Sequence, residues 1–233
     1  MGSLGRGMAL APLVIVVAFF SGTAAAGPAS STITADNVCC EYSSELYEQT
    51  LGEISLFVNP AEADAPHNVA STVRGPDGGP LFRSETIGVG STSPIAGTQY
   101  LSEGTYPFYC TLHGLSMDGQ LEVVPGGGAA VPRPAIRVSV LPQSLRAVRR
   151  SGIINASVRA LVGSPTVNLE AKSGAVAVAY ANGLSLRPGV TKTVRLKLSK
   201  AGRRAVSKGR QALISVKGSV AFGSPVLAKR TVR

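Results

Sequence analysis

The sequence predicts an all-β protein of two domains, and three observations carry that reading. Short runs rich in β-branched and aromatic residues recur along the chain, each bounded by Gly, Pro, Asp or Asn, and neither half reads as helical. Between residues 193 and 198, Val194, Leu196 and Leu198 alternate with Thr193, Arg195 and Lys197. That gives one apolar and one basic face, as in an antiparallel sheet with one wet side. Charge then divides the chain. Residues 27–126 hold Arg74 and Arg83 against twelve carboxylates, a net −10, whereas residues 127–233 hold twenty basic side chains against Glu170 alone, a net +19. The break falls on PGGGAAVPRPA at 125–135, whose Gly, Ala and Pro predict a short, semi-flexible tether. At 233 residues each half is long enough to bury its own core.

The first 26 residues stand apart from both halves. Arg6 precedes an apolar or small run from Met8 to Phe20, and Ser21-Gly22-Thr23-Ala24-Ala25-Ala26 supplies the small residues after which a signal peptidase cuts. The run is shorter than the roughly 20 residues that cross a bilayer, and no cysteine stands at the cleavage point to take a lipid. A secretory signal at 1–26, cleaved near Ala26, is therefore expected. It implies a secreted or extracytoplasmic protein, at the cell surface or in a periplasmic space, with no membrane span.

In residues 27–125 the predicted strands are ISLFVN (54–59), HNVASTV (67–73), TYPFYC (105–110) and GQLEVV (119–124). The chain has three cysteines, so an exported form leaves at least one outside any intramolecular disulfide. Cys39 and Cys40 are adjacent, and a bridge between neighbours departs from ordinary disulfide geometry. They read first as two small buried or half-buried residues, and second as a vicinal disulfide.

From the third of these strands, through a turn and into the fourth, runs YPFYCTLHGLSMDGQLEV, residues 106–123. Cys110, His113 and Met117 bring a thiolate, an imidazole and a thioether into one turn, the donors a soft transition metal prefers. The remaining histidine of the chain is His67, in DAPHNVAST. Two His and one Cys with a weak axial Met form the donor set that tunes copper for electron transfer. The metal would lower the pKa of Cys110 enough to bind it as thiolate.

Over most of residues 32–125 the chain resembles the cupredoxins, the plastocyanin-like blue copper proteins. GEISLFVN followed by PHNV resembles the family's Gly-led strand, loop and first ligand histidine. GTYPFYCTLH resembles the strand that delivers the cysteine and second histidine, and MDGQLEV the axial methionine entering the last strand. The resemblance implies a Greek-key β-barrel or sandwich holding one copper ion, cycling between cuprous and cupric, on His67, Cys110, His113 and Met117. It also implies that Asn68 tethers the ligand loop and hydrogen-bonds near the Cys110 sulfur, with Thr111 as its partner. The edge of His113 would reach the surface inside a small apolar rim of Leu112, Gly114 and Leu115, where electrons leave. Phe57, Phe82 and Phe108 would keep the surroundings dry. Many members carry a Trp before the first ligand; Leu56 or Phe57 stands there in this chain.

After the linker at 126–134, the domain at 135–233 contains IRVSVL, IINASVRAL, TVNLEAKS, AVAVAYAN, KTVRLKLS, QALISVKGSV and VLAKRTV. Seven runs in about a hundred residues resemble an immunoglobulin-like or fibronectin-like sandwich. SKAGRRAVSKG (199–209) reads as a single helical turn crossing between strands.

Composition also limits function. With both histidines assigned to the metal, no general base remains for a Ser or Cys triad. No Gly-rich loop cradles a phosphate, and no ligands remain for a second, catalytic copper. The expected function is an exported electron carrier rather than an enzyme, with copper storage or delivery as the alternative. Its acidic first domain predicts a redox partner cationic at the docking face. The basic second domain is either a solvated face or a tether to an anionic cell-wall polymer, and its strands lack the interleaved aromatics that stack nucleic-acid bases.

Overall fold

The computed structural model describes residues 31–37, 40–126 and 128–233. The expected signal segment, 1–26, and Cys39 lie outside the described residues. The fold is all-β, with two short α-helices and one 3-10 turn in the described part.

The first half builds two sheets from short strands. β1 (Thr32–Thr34), β2 (Leu46–Thr50), β3 (Leu56–Asn59), β4 (Ala70–Ser71) and β5 (Ser91–Pro94) lead to β6 (Gly104–Cys110) and β7 (Gly114–Val124). One sheet has the order β1-β3-β5 and the other β2-β7-β6-β4. β1 runs parallel to β3 and β2 parallel to β7, while the remaining pairs are antiparallel. Between the sheets, Phe57, Phe82, Phe108, Ile33, Ile95, Leu101 and Leu121 are fully buried. Tyr42 meets Phe108 edge-on, with ring centroids 5.1 Å apart, and Phe82 meets it at 6.4 Å, the offset geometry that ring quadrupoles favour.

The expected strand at 67–73 is the main departure here. Only Ala70 and Ser71 join the ladder, against Tyr109 and Phe108. His67 forms an isolated bridge with Ile87 instead, each residue donating its N–H to the other's carbonyl at 3.1 and 3.0 Å. The intervening Asn68 directs its side chain to other loops, and the ladder stops there.

All seven runs of the second half form strands: β8 (Ala135–Val140), β9 (Ile153–Val162), β10 (Thr166–Ser173), β11 (Val176–Ser185), β12 (Thr191–Lys197), β13 (Ala212–Val220) and β14 (Val226–Val232). They pair antiparallel in two sheets, β12-β9-β8 and β11-β10-β13-β14. Alternate residues such as Ile154, Ala156, Val158 and Ala160 of β9 point into a core separate from that of the first half.

Two helices differ from expectation. α1 (Leu145–Ser151) was not anticipated: the Ser144 hydroxyl accepts the Ala147 N–H at 3.1 Å, and Gly152 closes the helix in the left-handed region. α2 (Lys200–Ser207) is eight residues rather than a single turn. It is capped by Ser199, and it buries Val206 on one side while its cations face water.

Where composition predicts a semi-flexible tether, the chain is bonded to the first half. Val131 donates its N–H to the Gln99 carbonyl at 3.1 Å, and Arg133 donates to the carbonyls of Tyr100 at 3.3 Å and Phe222 at 3.4 Å. Phe222, in the loop after β13, has φ +61° and donates its N–H to the Asp77 carboxylate at 2.9 Å. Its ring lies under the Arg83 guanidinium, 4.6 Å from carbon to centroid.

Candidate metal centre

β6 ends at Cys110 and β7 begins at Gly114, so Thr111, Leu112 and His113 make the connecting turn. The His113 N–H bonds the Cys110 carbonyl at 3.3 Å, and the Ser116 hydroxyl bonds the His113 carbonyl at 2.7 Å. Gly114 has φ +64°, a conformation L side chains rarely adopt. The ladder pairs Tyr109 with Asp118 but Cys110 with Gly114. Leu115, Ser116 and Met117 are therefore extra on the β7 side, a bulge that re-aims side chains at the end of a hairpin.

The turn and the His67 loop bring three donors together. Ligand atoms of His67, Cys110 and His113 all lie within 4.8 Å of one another. His67 Nδ1 is 4.0 Å from Cys110 Sγ, and the two imidazole centroids are 4.8 Å apart. Cys110 and His67 are buried and His113 is half-buried. Met117 is fully buried in the same core cluster as Cys110. Leu112 is 54% and Leu115 73% exposed beside the turn, with Gly114 half-buried between them.

At the cluster, two buried polar atoms have no hydrogen-bond partner, His67 Nε2 and His113 Nδ1. Leaving such an atom unmade costs about 1–3 kcal/mol, and a cation at the cluster would satisfy an imidazole nitrogen. Soft sulfur donors and imidazoles overlap in the metals they suit, copper among them. The residues present fit a metal. Burial lowers the pKa of His67, the neighbouring His113 lowers it further, and Asp64 opposes both. The imidazole is thereby held neutral, the form that binds metal.

Asn68 joins the two ligand loops. Its Oδ1 accepts the Thr111 N–H at 2.9 Å, and its Nδ2 donates to the Thr111 and Thr86 hydroxyls, each at 2.7 Å. Asn68 thus bonds to Thr111, next to Cys110, and to Thr86, and its side chain makes no bond to the sulfur itself. Two supporting residues were not foreseen. Tyr42 donates its phenol to the Asn68 carbonyl at 2.6 Å, and burial, with the Cys110 thiol next in effect, pushes its pKa up. Asn59 donates Nδ2 to the carbonyls of Ala65 at 2.9 Å and Ile87 at 3.1 Å, fixing the strand partner of His67. Tyr42 lies in a segment remote from the ligands and Asn59 eight residues before His67, and no sequence pattern assigns either a role at the turn.

No protein-family model matches the chain, and no curated protein matches it. Among solved structures it is similar to a purple cupredoxin from Nitrosopumilus maritimus, at 24% identity over 40% of this chain and 98% of that one, TM-score 0.31. It is similar to auracyanin A, a "blue" copper protein from Chloroflexus aurantiacus, at 15% identity over 40% and 96%, TM-score 0.32. A third similarity is to the D00-D0 domain of intimin, at 15% identity over 62% and 72%, TM-score 0.29. The chemistry assigned to the cluster rests on its own residues.

Proposed function

We propose that the chain is an exported single-electron carrier of the cupredoxin kind, with one copper ion held by His67, Cys110, His113 and Met117. The observation that carries this reading is the buried Cys110 thiol facing two imidazoles within 4.8 Å. When bound, the ion supplies one-electron exchange between cuprous and cupric states.

The chain's own residues do the rest. Cys110 would hold the ion through its sulfur and His67 and His113 through ring nitrogens, and burial already disfavours the proton on His67. Met117 would add a weak thioether donor. Asn68, bonded to Thr111 and Thr86, holds both loops in one arrangement for both charge states. Half-buried His113 offers the short route to the surface, and exposed Leu112 and Leu115 form an apolar rim for a weak, transient encounter. The surplus carboxylates of the first half would steer a cationic partner there. The composition of residues 1–26 supports export.

The test is cupric loading of the purified protein, read by metal content and visible spectrum. One copper per chain with an intense thiolate-to-copper band is expected. Cys110→Ser should abolish the band, while Met117→Leu should keep it and raise the potential. A colourless wild type, or a serine variant that keeps its colour, overturns the reading. Rapid loss of copper from folded protein to a chelator would favour storage or delivery over electron transfer.

A further inference from the structure

The outer face of the sheet β12-β9-β8 is basic and open. Register places Arg137 directly opposite Arg159, with Thr191 on the other side of Arg159. Four residues along β12 from Thr191, Arg195 stands opposite Asn155, and Lys197 lies two further on the same face. All four cations are exposed. Between the two charged ends runs a row of hydroxyls, Ser139, Ser157 and Thr193, paired across the strands. At ~3.3 Å per residue the charged ends are about 13 Å apart.

Like charges directly opposite in a ladder destabilise it, and among the described residues no carboxylate pairs with these. The single ion pair among the described residues is Lys172–Glu170, at 3.5 Å in β10 of the other sheet. Glu170 is also the only carboxylate side chain in residues 127–233. The opposite face of the same sheet is the domain's apolar core, with Val138, Ala156, Val158, Val194 and Leu196. The outward charge is therefore not a by-product of packing. An exposed face with cations at both ends and hydroxyls between matches a chain that alternates anionic groups with hydroxyls.

We propose that this face binds a linear acidic polysaccharide laid along the strands, its carboxylates on Arg137, Arg159, Arg195 and Lys197 and its hydroxyls over Ser139, Ser157 and Thr193. Arginine forks take carboxylates bidentately. No aromatic residue lies on the face to stack a nucleobase. The proposal is independent of the metal site.

The experiment uses the full chain and polygalacturonate as probe, with affinity measured across a salt series. Expected are binding that weakens steeply with salt and, for Arg137→Ser/Arg159→Ser/Arg195→Ser, at least about tenfold weaker binding with a flatter salt slope. Thermal unfolding of the triple variant reports folding; with the like-charge pair removed, its midpoint should not fall. The control Arg146→Ser/Arg150→Ser/Arg204→Ser removes equal charge from the exposed sides of α1 and α2 and should keep affinity within about twofold. Equal loss in both triples would overturn the proposal in favour of unspecific charge attraction. Absence of binding would overturn it, as would tighter binding of polyphosphate or DNA through the same three arginines.

Discussion

Asn68 makes three side-chain hydrogen bonds, two to Thr111 and one to Thr86, and its own carbonyl takes the Tyr42 phenol. Asn68→Ala would leave the Thr111 N–H and two hydroxyls without this partner, at a cost of about 1–3 kcal/mol. Urea unfolding of the metal-free protein should show that loss, and Asn68→Asp, which keeps the acceptor for the Thr111 N–H, should lose less. His67 sets a pH dependence of the same metal-free protein. Its folded-state pKa is lowered by burial and by His113, while the unfolded chain binds the proton at the ordinary value of 6.5. Across the interval below that value the unfolded state holds more protons, so stability falls as pH falls through it and is fully present above it. His67→Asn should flatten this slope relative to wild type in parallel urea titrations; parallel slopes would contradict the assignment. The donor types and Asn68 were legible in the sequence because ligand chemistry restricts residue identity. Tyr42 and Asn59 were not, since a phenol and an amide acting on backbone carbonyls can come from any segment that the fold brings near.

β7 illustrates how an element can be constrained twice. Its N-terminal end opens the bulge that carries Met117, and two residues later Gly119 faces Phe108 across the ladder. A Cβ at 119 would stand 2.7 Å from Phe108 Cζ, and that ring is fully buried among Tyr42, Tyr47 and Phe82. Gly119→Ala should therefore cost about 1–3 kcal/mol by overpacking. Phe108→Leu should lose its own packing, yet the double variant should be more stable than the two losses added together, because the smaller side chain gives the new methyl room. Additive losses in thermal unfolding would place the ring elsewhere. Most strands of the second half were legible because β8, β9, β10, β12 and β13 alternate between a wet and a dry face. β1, β2 and β5 were not: TIT, LYEQT and STSP are short, largely polar edge strands whose pairing is decided by neighbours remote in sequence. α1 escaped because seven residues with two buried side chains leave little periodic signal, although its Ser144 cap and Gly152 stop were readable.

Across the whole molecule, two halves of opposite charge meet around Phe222, with Arg133 and Val131 beside it. Phe222 belongs to the second half, yet its N–H is accepted by Asp77, its ring lies under Arg83 and its centroid is 6.0 Å from that of Tyr100. Arg133 adds a second cation over Tyr100, at 5.7 Å. Holding a bulky residue at positive φ has an energetic cost, and these contacts offset it. Net charges of −10 and +19 also draw the halves together at low salt, so a junction test must remove that contribution. In about 1 M salt, where the screening length is about 3 Å, the short-range contacts at Phe222, Arg133 and Val131 remain. Phe222→Ala keeps the strained backbone and deletes the ring, losing about 1 kcal/mol for the cation contact and a similar amount for the aromatic pair. Small-angle scattering at that salt should then give a larger radius of gyration for the variant than for wild type, with the strand content of both unchanged by circular dichroism. An unchanged radius would mean that the bonds of residues 126–133 to the first half, Val131 to Gln99 among them, hold the arrangement without Phe222.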